Sequence, residues 1–311
     1  MELLLLLFFA GGPFSDLLGL PPGERDAQLV HAAAENSMLY LEWAERGEGK
    51  PGAKGVDGMV ADPEVKHFVE RVMTQIKRGV TQNMPPDAPQ RPVLAALPEF
   101  VVAFSGRPGC MFVSLDEGAG EANDPWTAVL GRINAGLVIN AGDKADEFTD
   151  ILGQWISQVP GMQKPEKFDR LQLPLPVPAF LHRDGDRIIL AVGRKTLDQI
   201  LARLKSGDGG LATNKVFTAA WDELKLERVG SISWLDVKAA ATEIPSLIDG
   251  STADMVSAML DVTGFSGLEN VMSVTGVVDG EITGRIKATT KGEFKGLMTF
   301  MSGRAITADD F

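Results

Sequence analysis

Two Asp-Gly dipeptides, Asp184-Gly185 and Asp279-Gly280, each stand between a pair of apolar runs. A two-residue turn needs backbone with positive φ, which Gly and Asp tolerate, so each dipeptide predicts a tight β-hairpin. Hairpins make neighbouring strands antiparallel, and this limits the chain more than any other feature. Further strands are expected over Ser37–Trp43, Cys110–Leu115, Ile133–Ala141 and Gly230–Val237, from short apolar runs bounded by turn residues.

Amphipathic helices alternate with these strands. In ADPEVKHFVERVMTQIKRG, Asp62 suits an N-cap and Pro63 the first helical position, and Val65, Phe68, Val69, Val72 and Ile76 form the apolar stripe. A helix from about Asp143 places Phe148, Ile151, Leu152, Trp155, Ile156 and Val159 on one face, with Trp155 expected in the core. The helix after the first hairpin carries Leu197, Ile200, Leu201 and Leu204. The next, about Asn214–Leu224, is expected to bury Val216, Phe217, Ala220 and Trp221. Mixed apolar residues from Val93 to Phe104 predict a helical start, and Phe294–Met301 a short closing helix. The class that follows is α+β, with helices layered on one face of a largely antiparallel sheet. FSGRPGCMFVSLD and FSGLENVMSVTGVVD resemble one another, as do SMLYLEW and GSISWLD, so an internal duplication is a further expectation.

Composition narrows the function. The 311 residues are 44% hydrophobic and 23% charged, enough for a sizeable core. A net charge of −12 repels phosphate backbones and argues against nucleic-acid partners. Cys110 is the single cysteine, so neither an intramolecular disulfide nor a cysteine-rich zinc site is possible. Its apolar neighbours make it a buried hydrophobe rather than a nucleophile. The apolar run Leu3–Ala10 has the length of a signal-peptide core and is too short to span a bilayer. Glu2 stands where a basic residue is usual, and no A-x-A site follows. Residues 1–25 are read as a leader or truncated signal segment. Residues 26–303 form the α+β domain, with a division into two lobes expected near 165–180. Residues 304–311 are a tail that resembles the start of a further unit.

The motifs of catalysis are not met. Gly47, Gly49 and Gly52 spell G-x-G-x-x-G, but the helix that must receive a pyrophosphate is expected only near Asp62, where a carboxylate occupies its start. A solvent-facing loop is the expectation. Ser105 lies outside any G-x-S-x-G elbow, and His31, His67 and His182 lack metal spacing. Asp184 and Asp186, and the carboxylates of Asp116–Pro125, do not match a calcium ladder. Glycosidase carboxylates are paired in space rather than by spacing, so the sequence names none. Three prolines in LPLPVP, Leu173–Pro178, forbid a central strand and suit an edge or a stiff connector. Arg194 and Lys195 precede a helix start, a common arrangement for exposed basic residues.

Five stretches within about residues 35–290 carry a shared pattern: SMLYLEW, ADPEVKHFVERV, INAGLVINAGDKADEFTDILGQW, DGDRIILAVGRKTLDQILARL and NKVFTAAWDEL. On these the chain resembles an uncharacterised bacterial family of exported proteins known as a domain of unknown function, the 3352 type. It implies export to the periplasm or cell envelope and a mixed α/β layer fold, and it assigns no catalytic, cofactor-binding or metal-ligating residue. The reading that follows is a non-catalytic exported binding or scaffold domain, with a protein or small molecule as partner. The alternative is an exported hydrolase using carboxylates or a lone serine.

Overall fold

In a computed structural model, residues 21–82, 106–115, 131–157, 161–175, 177–246 and 264–292 are described, with 104, 254, 255, 258, 261 and 262 besides. Residues 1–20, the segments 93–103 and 116–130, Ser105 and the residues beyond 292 lie outside this set, so the expectations placed on them stay as stated; residues 21–25, read as the end of the leader, pack on the sheet, with Pro22 bridged to Arg46 and Arg25 paired with Glu42.

Nine strands form one antiparallel sheet: β1 Leu39–Trp43, β2 Gly109–Leu115, β3 Ile133–Asn140, β4 Leu171–Gln172, β5 Ala179–Asp184, β6 Arg187–Val192, β7 Arg228–Leu235, β8 Leu268–Val278 and β9 Glu281–Thr290. Their order across the sheet is β4-β5-β6-β3-β2-β1-β7-β8-β9. Seven helices lie among the described residues: α1 Leu29–Ala32, α2 Val56–Ala61, α3 Pro63–Gln82, α4 Ala145–Ile156, α5 Thr196–Ser206, α6 Lys215–Leu224 and α7 Val237–Ser246. The protein is therefore α+β, as the hairpins and amphipathic segments predict.

Period-2 alternation divides the sheet residues between two cores. On one face Tyr40, Phe112, Val138, Ile189, Trp234 and Met272 pack beneath α1, α5 and α6, which contribute Leu29, Ile200 and Phe217. On the other, Leu41, Ile139 and Ile188 meet Ala145, Phe148 and Ile156 of α4. The thicker helical layer is thus on one face, and α4 packs on the opposite one. Asn214 caps α6, its side-chain oxygen accepting from the backbone N–H of Val216 and Phe217. Phe217 then stands edge-on to both Tyr40 and Trp234, at 5.8 and 5.6 Å.

Three departures from the sequence reading concern a turn, a short helix and two expected core positions. The first hairpin pairs Asp184 with Arg187, so its turn residues are Gly185 and Asp186. Gly185 alone has positive φ, which suits a turn with Gly at the first central position. A short helix, α2, also precedes Asp62 despite Gly58, because Val56 is buried against Val277 of β8. Val216 is 52% exposed and Trp155 half-buried, so neither is the core residue its spacing implied. The second hairpin matches its prediction: Val278 pairs with Glu281, and both Asp279 and Gly280 have positive φ.

The sheet contains the same arrangement twice. β1 is followed by helix and then by antiparallel β2 and β3; β7 is followed by α7 and then by β8 and β9. The two leading strands pair antiparallel in the sheet's interior, with Tyr40 opposite Trp234. Ser37-Met-Leu-Tyr-Leu-Glu42 and Ser231-Ile-Ser-Trp-Leu-Asp236 correspond residue for residue about that pair. β3 and β9 take equivalent places. β3 is covered on its outer edge by β6, whereas β9 ends the sheet among the described residues.

Candidate functional site

A polar cavity of about 490 Å³ lies where the segment 24–28 crosses the ends of β1, β3 and β6. Arg25, Arg107 and Arg187 line it, together with Glu24, Asp26 and Glu45. Each of the three arginines is already held. Arg107 bonds Glu45 at 3.2 Å and also pairs with Asp143. Arg187 donates Nη2 to Gln28 Oε1 at 2.7 Å and approaches Asp26 at 3.4 Å. Asp26 in turn accepts from Asn140 Nδ2 at 2.9 Å. The Nε of Arg187 is buried with no hydrogen-bond partner among the described residues.

Beneath the cavity, Arg25 reaches into the core. Its Nε and Nη2 pair with the two carboxylate oxygens of Glu42, and its guanidinium lies 4.8 Å over the Trp221 ring. Glu42 is 1% exposed and also accepts from the Tyr40 hydroxyl. Among the described residues it is the one charged group in the buried set. It alternates with Tyr40 along β1, so both point to the helical face. Burial, then the Glu42 carboxylate, push the Tyr40 hydroxyl well above its ordinary range. Burial is the largest single influence on the Arg25 guanidinium and lowers it, but Glu42, with smaller contributions from Tyr40 and Asp26, makes the net shift upward.

Cys110 sits opposite Glu42 on β2 and donates towards the Leu29 carbonyl at 3.5 Å. Burial first, and Glu42 next, hold its thiol well above the usual range. A thiol in that state is not a nucleophile. General acid–base work needs a group that exchanges protons with substrate or solvent. Glu42 is sealed, bidentate and hydrogen-bonded, so it acts as a structural anchor joining the segment 24–28 to β1.

The residues weighed in the sequence do not converge. The Nδ1 atom of His31 is 3.0 Å from the Gly209 carbonyl oxygen; His67 is exposed on α3; His182 accepts from the Arg170 N–H. Arg194 and Lys195 are exposed, and Lys195 provides no side-chain cap to α5. Among the described residues, no group of three potential metal ligands comes together. The Gly47–Gly55 loop has a structural explanation: a Cβ on Gly55 would collide with the Gly280 carbonyl, which accepts from the Val56 N–H. The loop is thereby fastened to the β8–β9 turn. Nothing in the sequence pointed to Arg25 with Glu42; the available signal was an acidic residue sharing an apolar strand face with Tyr40.

The two ends of the sheet differ. β4 has two residues, and the prolines of Leu173–Pro178 follow it, an arrangement that blunts an edge. β9 has ten residues, and Ile282 and Ile286 are 50% and 72% exposed on it. Because Val278 and Glu281 close a two-residue turn, they form a hydrogen-bonded pair, and the backbone groups of Ile282, Gly284, Ile286 and Ala288 point away from β8. Among the described residues none bonds those groups. On the helical face Arg285 donates to the Lys225 carbonyl at 3.0 Å and Lys287 pairs with Glu223 at 2.6 Å, which holds β9 in place.

No protein-family model matches the chain, and neither a curated protein nor a solved structure is significantly similar to it. No helix among the described residues is long and apolar enough to cross a membrane.

Proposed function

We propose that this chain is a non-catalytic exported binding or scaffold domain that engages its partner by strand addition at β9. The observation that carries the reading is the ten-residue edge, whose outward amides have no partner among the described residues, with two exposed isoleucines. Backbone hydrogen bonds supply affinity in such recognition, and alternate side chains supply selectivity. Export rests on the apolar run Leu3–Ala10 and on the family resemblance. The polar cavity supports the same reading, since Asp26, Glu42 and Glu45 are each engaged by arginine.

A displayed library of extended peptides, selected on dilute immobilised chain, tests this. The expected binders alternate apolar and polar residues and lose affinity for Ile286→Lys. Binders indifferent to that substitution would place the contact surface elsewhere. Turnover of ester, glycoside or peptide substrates by the pure chain would restore the hydrolase alternative.

A further inference from the structure

We infer that the strand added to β9 is β9 of a second copy, paired antiparallel about a twofold axis through Gly284. The inference rests on β9 being the working edge. It begins from the repeat within the fold. β3 and β9 are equivalent, and the outer edge of β3 carries an antiparallel neighbour, β6. An antiparallel neighbour on β9 would complete the same pattern. The chain also pairs its own equivalent strands in this way, β1 with β7 about Tyr40 and Trp234.

Register selects the partner. In a twofold antiparallel pair centred on Gly284, Ile282 lies opposite Ile286 of the second copy, and Ile286 opposite its Ile282. On the helical face Glu281 lies opposite Lys287, twice, and Thr283 opposite Arg285. Apolar residues thus meet apolar ones, and opposite charges meet. Centring on Arg285 places arginine against arginine, and centring on Ile286 places Arg285 against Lys287. Like charges directly opposite destabilise a strand pair. Gly284 is one of the residues whose N–H and C=O point outward, so the axis falls on a hydrogen-bonded pair. A Cβ at Gly284 has only the Thr275 hydroxyl near it, at 4.0 Å, so nothing among the described residues crowds the axis. The result is an isologous, closed dimer, in which each β9 edge caps the other.

Sedimentation of the full chain over a range of concentrations tests this with Glu281→Lys and with the double variant Glu281→Lys, Lys287→Glu. The wild-type chain is expected to dimerise. Glu281→Lys turns two attractive pairs into two repulsive ones and should weaken the dimer about tenfold or more. The double variant exchanges the signs and should recover most of that loss, although Lys287→Glu gives up the Glu223 contact. Circular dichroism melts on each variant confirm folding. A wild-type chain monomeric to on the order of 100 μM, or a dimer indifferent to Glu281→Lys, overturns the self-pairing. A monomer that still captures peptides at β9 leaves the edge as the binding surface; loss of both removes that reading as well.

Discussion

Replacing Glu42 by alanine tests whether the buried ion pair is structural, and the cost can be worked from its neighbours. The substitution removes a carboxylate that is 1% exposed and holds two groups. The Tyr40 hydroxyl is fully buried and would lose its acceptor, at about 1–3 kcal/mol. The Arg25 side chain is 25% exposed and rests on Trp221, so it can turn partly to water and costs less than a sealed cation. Breaking a buried pair by removing one member typically costs about 3–5 kcal/mol, and about 4 is expected here. That is a large part of the roughly 5–15 kcal/mol of a typical fold. Urea unfolding followed by tryptophan fluorescence reads it. With a slope of about 3 kcal/mol/M, the midpoint moves down by more than about 1 M. Tyr40→Phe alone should cost about 1–2 kcal/mol, and the two together less than their sum, because they share one bond. A loss below about 1 kcal/mol for Glu42→Ala, or strict additivity with Tyr40→Phe, would refute the reasoning.

Three further outcomes follow from other contacts. Cys110 is buried with its thiol pushed up, so a thiol reagent at neutral pH should label the native chain only as fast as it opens, and the unfolded chain at once; rapid native labelling contradicts the placement of β2. Arg228 holds the Asp57 carboxyl below its usual range, chiefly by hydrogen bonding. A depressed carboxyl stabilises above the unfolded pKa of about 3.9, and that contribution is lost as pH falls through the lower folded value. Asp57→Asn should therefore flatten the acid limb of the stability curve below about pH 4, and parallel limbs for the two proteins would show that the pair is not linked to folding. Gly55→Ala places a Cβ on the Gly280 carbonyl at positive φ, with an expected loss of about 1–3 kcal/mol in urea unfolding; an unchanged midpoint would mean that the loop is not fastened to the β8–β9 turn.

The elements were legible where local chemistry decides them. Asp279-Gly280 supplied positive φ at both turn positions, and Asn214 supplied a cap, so the hairpin and α6 follow from a few residues each. The sheet order was not legible, because β1 pairs with β7 across more than half of the domain and no local signal reports such a contact. The likeness of SMLYLEW to GSISWLD was visible without its consequence, that the two strands meet at an internal twofold. α2 forms against the propensity of Gly58, since burial of Val56 outweighs about 1 kcal/mol of helix preference. Phe68 shows the reverse: its spacing marks an apolar stripe on α3, yet it is 62% exposed. The Arg25–Glu42 pair was not legible because Arg25 lies in an irregular segment, where no periodicity fixes its direction.

The open β9 edge is the centre of the functional account, and a cysteine at its axis tests that most directly. Gly284→Cys adds the only exposed thiol to the described surface, since Cys110 is buried. In a hydrogen-bonded antiparallel pair, opposite Cα atoms lie about 5.5 Å apart, within the range a disulfide spans. Mild oxidation of dilute Gly284→Cys chain should give a covalent dimer on non-reducing gels, with Thr289→Cys as an off-axis control that does not link. A Gly284→Cys chain that stays monomeric, or links no faster than the control, contradicts the pairing of two β9 strands.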